Sequence, residues 1–184
     1  MTELATPRLL LRHWRADDAA PFARMNADPE VMRHFPGPLA PDDSGALLRR
    51  IANDLDERGW GLWAVQERST GSLLGFTGLA PVGFAAPFAP AVEIGWRLVR
   101  SHWGQGLATE AARAAAAFAF GDLALSELIA FTTSANQRSR AVMRRLGMTH
   151  DPVDDFAHPL IPDGHPLRPH VLYRLRPPVA AWAG

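Results

Sequence analysis

The spacing of apolar and polar positions divides the chain into short alternating elements. The apolar run Arg8-Leu-Leu-Leu-Arg-His-Trp14 predicts a strand. Asp17-Asp18 opens a helical pattern through Phe22 and Met25 that stops at Asp28-Pro29. Pro29 suits the first turn of a further short helix over residues 30–35, and Pro36, Gly37, Pro38 and Pro41 then predict a loop. Residues 42–58 begin with acidic side chains and carry Leu47, Leu48, Ile51 and Leu55 on one face. That pattern predicts an amphipathic helix, ended by Gly59. Strands over 62–68 and 73–80 flank Ser69-Thr-Gly-Ser72, a hairpin turn signal, and a loop over 81–90 separates them from a third strand over 91–98. No helix fits between these three, so they predict an antiparallel meander. Gly104-Gln-Gly106 precedes a helix over 107–120. A strand over 128–133, a helix over 136–146 capped by Gly147, a Pro/His/Asp-rich loop over 153–169 and a strand over 170–176 complete the pattern. The tail, 177–184, is expected to fray.

Composition narrows the chemistry. At 184 residues the chain predicts one domain, over 1–184. All 19 basic residues are Arg, which excludes Schiff-base lysines, pyridoxal phosphate enzymes and the lysines of P-loops and protein kinases. The absence of Cys excludes thiol catalysis, thiolate zinc sites and disulfides. The 19 acidic residues cancel the Arg charge, and the aromatics are not interleaved with a basic run, so neither nucleic acid nor an anionic membrane is an expected partner. The longest apolar stretch, 114–120, is far short of the roughly 20 residues that span a bilayer. With no secretory pattern at the start, the cytoplasm is the expected location.

Four groups of residues carry candidate chemistry. Gly104 and Gly106 stand between a strand and a helix start, where curled backbone N–H groups and the helix dipole make a cradle for a pyrophosphate. A plain turn explains the same two glycines. A Rossmann loop needs a third glycine where Thr109 stands, and a parallel strand–helix–strand unit, so NAD and FAD fit poorly. Asn136 is a helix N-cap candidate, and Ser139 shares a helix face with Val142, Met143 and Leu146 at the buried edge of the first turn. Purely local capping is the competing explanation for this pair. Glu93 alternates onto one strand face with Ala91, Gly95 and Arg97, where it is either a base in a cleft or half of a surface ion pair with Arg97. His158, His165 and His170 invite a metal, but their spacing matches no helical ligand pair and no Cys assists, so a structural or substrate-contacting role is favoured.

The order of elements and these motifs resemble the GNAT superfamily of acetyl-CoA-dependent N-acetyltransferases, more closely its branch of Rim-type ribosomal-protein α-N-acetyltransferases. The resemblance rests on Thr6-Pro-Arg-Leu-Leu-Leu-Arg12 with Asn26-Ala-Asp-Pro-Glu-Val-Met32, and on Glu93-Ile-Gly-Trp96 running into His102-Trp-Gly-Gln-Gly-Leu-Ala-Thr-Glu-Ala111. It continues through Asn136-x-x-Ser139, Leu146-Gly-Met148, His158-Pro, His165-Pro and His170-Val-Leu-Tyr-Arg-Leu175. It implies a mixed α/β (α+β) fold whose mostly antiparallel sheet of about seven strands is flanked by helices and splayed where the coenzyme binds. It implies that Trp103, Gly104, Gln105, Gly106, Leu107, Ala108 and Thr109 hold the pyrophosphate of acetyl-CoA, with backbone N–H groups from Gly104 to Ala108 as donors. It implies that Trp96, Arg97 and Leu98 pair with the pantetheine arm, that Asn136 holds it, and that Glu93, or a water chain, serves as base. Where many members carry a tyrosine acid this chain has Met143, and the resemblance passes that role to Ser139. The implied reaction is direct attack of a primary amine, from a protein N-terminus or a small molecule, on the thioester. Its acceptor end is expected from 32–41, 81–90 and 152–169, with His34, Phe35 and Phe84 as contacts, or with the last loop at a homodimer interface. A coenzyme-A-binding sensor without turnover and a dinucleotide oxidoreductase are the competing functions.

Overall fold

A computed structural model describes residues 2–177, so the expected fraying beyond Pro177 lies outside the described residues. Its strands are β1 (Leu4–Ala5), β2 (Leu9–Arg12), β3 (Leu62–Glu67), β4 (Leu73–Pro81), β5 (Val92–Leu98), β6 (Leu128–Thr133), β7 (Thr149–His150), β8 (Phe156–Ala157) and β9 (Pro169–Leu175). Its helices are α1 (Ala19–Ala27), α2 (Pro41–Arg58), α3 (Leu107–Gly121) and α4 (Gln137–Arg145).

All nine strands join one sheet in the order β1-β2-β3-β4-β5-β6-β9-β7, with β8 beside β9. The expected count of about seven falls short because β1, β7 and β8 have two residues each, too few to display alternation. The meander β3-β4-β5 is antiparallel as its short connections require. Its hairpin turn uses Gly71 at φ +73°, a conformation that suits glycine. The expected helix over 30–35 is instead a series of turns, in which Asp28 Oδ1 accepts the Glu30 N–H at 2.8 Å. Six residues offset a helix nucleus poorly, and Pro36 disfavours helical backbone at Phe35. The loop expected over 153–169 contains β8, whose pairing of Phe156 with His170 fastens it to the sheet.

One sheet face packs on α3, whose buried Ala111, Ala112, Ala115 and Ala119 let the helix approach Ile94, Leu98 and Trp63 closely. The other face is divided. Over β3 and β4 it meets α1 and α2 through Phe22, Met25, Ile51 and Phe76. Over β6 and β9 it meets the C-terminal loop.

Between these halves the sheet opens. β5 pairs with β4 along its whole length, from Val92 opposite Pro81 to Leu98 opposite Gly75. Its parallel pairing with β6 is the single pair Glu93–Ile129. Residues 94–98 therefore present a strand edge to open space in mid-sheet. This arrangement, an antiparallel meander followed by one parallel contact, is not a Rossmann unit.

Candidate active site

A cavity of about 870 Å³ occupies this opening. Its first wall is main chain. Gly104 and Gly106 adopt φ of +77° and +78°, which L side chains rarely adopt, and Gly106 is the residue on which α3 begins. No side chain caps α3, so the N–H groups of Leu107, Ala108 and Thr109 are open beside a positive dipole end. The curl and the unpaired edge of Trp96, Arg97 and Leu98 form one continuous concave surface suited to an extended ligand with a phosphate at one end. Trp103 supports the curl: its indole N–H donates to the Leu98 carbonyl at 2.8 Å, and the Arg138 guanidinium lies 4.8 Å from its ring centre. Gln105 does not line the cavity; its side chain folds back to the Ser101 carbonyl at 3.4 Å.

The first turn of α4 supplies the second wall. Asn136 accepts the Ser139 N–H at 3.2 Å through Oδ1 and donates to Thr132 Oγ1 at 2.9 Å. The local cap is thus real, and it fixes a carboxamide that also faces the cavity. The Ser139 hydroxyl lines the cavity with no hydrogen-bond partner among the described residues. Met143 is buried one turn further on. The lone tyrosine, Tyr173, lies on the α3 side of the sheet, where its hydroxyl accepts from Arg140 Nε at 3.3 Å, and it does not reach the cavity.

Glu93 and Arg97 project from the opposite face of β5 to Ile94 and Leu98, as alternation predicts. They are not an ion pair. Glu93 has no polar partner among the described residues, and burial pushes its carboxyl up to about 8. Arg97 Nη1 instead donates to Asn26 Oδ1 at 2.7 Å. At neutral pH Glu93 therefore holds a proton for much of the time and gives it up within the range where amines titrate.

The third wall is aromatic. His34 and Phe35 line the cavity, with His34 Nδ1 3.2 Å from Thr133 Oγ1. Burial, then the charges of Arg33 and Arg138, lower the His34 pKa. Phe84 stands one layer back, 4.7 Å from the His158 ring and 5.8 Å from Phe131, and braces these two cavity residues. The His158 and His170 rings lie 4.9 Å apart, tilted at 48°, and burial holds both below the usual imidazole range. His165 is separate: its Nδ1 accepts the Leu167 N–H. Among the described residues no group of three or more His, Asp or Glu is placed to hold a metal.

A latch behind the glycine curl was not assigned from sequence. Glu110 accepts the Thr6 hydroxyl at 2.6 Å, the Arg8 N–H at 3.0 Å and Arg8 Nε at 2.6 Å, while Arg8 Nη1 donates to the Gln105 carbonyl at 3.0 Å. Burial alone would raise the Glu110 pKa; the bonds from Thr6 and Arg8 outweigh it and hold the carboxyl low. The signal was available as Thr6-Pro-Arg8 and Glu110, but nothing in the spacing joins segments 102 residues apart.

Residues 8–149 match the family described as the acetyltransferase (GNAT) domain. The FsC-acetyl coenzyme A-N(2)-transacetylase of Aspergillus fumigatus is 34% identical over 134 residues, covering 69% of this chain and 56% of its own length. The chain thus spans a little over half of that relative. The crystal structure of an acetyltransferase from Agrobacterium tumefaciens superposes with a TM-score of 0.77 at 28% identity, over 96% of this chain and 95% of that one. RimL, a ribosomal L7/L12 alpha-N-protein acetyltransferase in complex with coenzyme A, shares the fold with a TM-score of 0.75 at 15% identity, over 95% and 98% of the two chains.

Proposed function

The chain belongs to the GNAT acetyltransferase family and is an acetyl-CoA-dependent acetyltransferase; we propose that its acceptor is a primary amine, a peptide or protein N-terminus or a small-molecule amine, deprotonated by Glu93. The observation that carries this reading is the position of Glu93: an unpaired carboxyl, raised to about 8, on the strand whose free edge leads into the glycine curl. A base of that pKa is matched to a peptide α-ammonium, which titrates at about 8.

Acetyl-CoA supplies the acyl group as a thioester. In this reading the N–H groups of Gly104 to Ala108 hold its pyrophosphate, the main-chain edge at Trp96, Arg97 and Leu98 aligns its pantetheine, and the free carboxamide hydrogen of Asn136 secures that arm. The acceptor enters from the aromatic side between His34, Phe35 and His158. Glu93 takes the proton from the amine as its nitrogen bonds to the acyl carbon, and the Ser139 hydroxyl gives a proton to the departing sulfur. Glu93 then releases its proton to solvent, and Ser139 regains one from it. Coenzyme A is a fair leaving group, so the acid contributes a modest factor. The reading takes the cytoplasm as the setting.

A binding protein with little turnover is the competing reading, favoured by Met143, buried where the family resemblance implies a tyrosine. Thermal unfolding with acetyl-CoA, with NAD as control, tests the coenzyme site. Ligand at about 100 times its dissociation constant adds roughly 2.7 kcal/mol of stability. A rise with acetyl-CoA and thiol release on adding amines supports the reading. A rise with no thiol release from any amine favours the binding protein, and no rise removes the coenzyme site.

A further inference from the structure

Arg97 carries a charge that the fold leaves uncompensated. Its guanidinium lies 4.2 Å from the Phe35 ring centre and 5.2 Å from that of Phe76. Nη1 is taken by Asn26 Oδ1. Nε is buried without a partner, and Nη2, on the same edge, makes no hydrogen bond to a described residue yet is not buried. No described carboxylate forms an ion pair with it.

The contrast with the other enclosed arginines is sharp. Arg12 is buried against Asp18 with two bonds of 2.7 and 2.8 Å. Arg174 sits between Asp154 and Glu127, with bonds of 2.7 Å to each. Ring stacking offsets the desolvation of a guanidinium only in part. A planar fork with one free edge, lining the cavity that Glu93 lines, suits a carboxylate.

We propose that Arg97 holds a carboxylate belonging to the acceptor, so that the substrate is a peptide-like amine that also carries an acidic group. This rests on the acetyltransferase reading above. Glu93 and Arg97 lie on one face of β5. The Glu93 carboxyl leans along that face toward Arg97, with its Oε1 3.9 Å from where a Cβ on Gly95 would stand. One acceptor lying in the cavity therefore meets both groups. The carboxylate is a C-terminus or a side chain.

The test uses the protein saturated with coenzyme A and three probes: Ala-Phe, Ala-Phe-amide and Ala-Glu-amide. In each the amine is separated by a residue from the altered group, so its own protonation barely changes. Ala-Phe raises the unfolding temperature and Ala-Phe-amide does not. Ala-Glu-amide follows Ala-Phe if a side-chain carboxylate suffices, and follows the amide if the C-terminus is required. In Arg97→Met, shown to be folded by its circular dichroism and cooperative unfolding, the difference disappears. With acetyl-CoA, Ala-Phe is acetylated with kcat/KM at least tenfold above its amide. Equal shifts for Ala-Phe and its amide in the unaltered protein, zero included, overturn the proposal whatever the variant does. So does an acid preference that survives Arg97→Met. Acid-selective binding with no acetylated product keeps the carboxylate site and removes the acetyltransferase reading instead.

Discussion

The two halves of the cavity are built from different materials. The half proposed to hold the coenzyme is main chain: the edge of β5, two glycines with positive φ, the start of α3 and the first turn of α4. It comes from two short stretches of sequence. The half proposed to take the acceptor is side chain: Glu93, Arg97, His34, Phe35, His158 and His170, from four segments spread over most of the chain. Main chain is the same in every protein, so a site made from it can serve one constant ligand. Side chains are where specificity is set, because each can be exchanged without disturbing the sheet.

The sharpest way to break this comparison is Gly106→Glu. It forces a side chain into positive φ and places a negative charge in the curl. The thermal stabilisation by acetyl-CoA, about 2.7 kcal/mol at 100 times the dissociation constant, is expected to vanish; a normal shift would sink the loop assignment.

Next in size is Glu93→Gln, which leaves the coenzyme half intact. Turnover is expected to fall about 10²–10⁴-fold, the usual range for a positioned base. In the unaltered protein kcat/KM rises with pH through about 8, and the variant loses that limb. Stability carries the same signature with the opposite sign. A carboxyl raised from 4.5 to about 8 binds its proton more tightly when folded, so stability declines as pH rises from 4.5 to about 8 and is then level. Urea midpoints at pH 5 and 9 should differ by less in Glu93→Gln than in the unaltered protein.

Glu110→Gln acts behind the curl. The Arg8–Glu110 pair is partly exposed, so about 1 kcal/mol or less of stability is expected to go, with a few-fold loss of acetyl-CoA affinity. Its carboxyl is held low, so the latch is complete above 4.5 and fails as the pH falls through the lowered value. Isothermal titration with acetyl-CoA at neutral and acid pH measures both effects.

Ser139→Ala is the smallest change. Turnover should drop several-fold with acetyl-CoA binding unaltered, since the cap uses the Ser139 N–H and not its hydroxyl. Unchanged turnover returns Ser139 to a capping role.

The same division explains what could be read in advance. Glycine curls, helix caps and strand alternation are local, and the positive-φ curl at Gly104 and Gly106, the Asn136 cap and the faces of β5 were legible from them. The roles proposed for Ser139 and Glu93 come from the family resemblance. The acceptor half was legible only as candidates. Phe84 was expected at the mouth and stands behind His158, because a loop residue's depth depends on what packs over it. The turns over 30–35 mimic a helix in residue choice, yet they serve to bring Phe35 over Arg97. The choice of Asn26 over Glu93 as the partner of Arg97 could not be read from spacing, because α1 and β5 meet only in the folded chain.

The seam between β5 and β6 has a further consequence. Sheets are dangerous at their edges, where unpaired amides and carbonyls invite strands of other molecules. Most proteins confine that hazard to the rim, but here residues 94–98 place it in the middle of the sheet. A ligand lying along that edge is also a guard against self-association. The lifetime of the protein in solution should therefore track the supply of coenzyme, and light scattering of the warmed protein with and without coenzyme A would read that dependence directly.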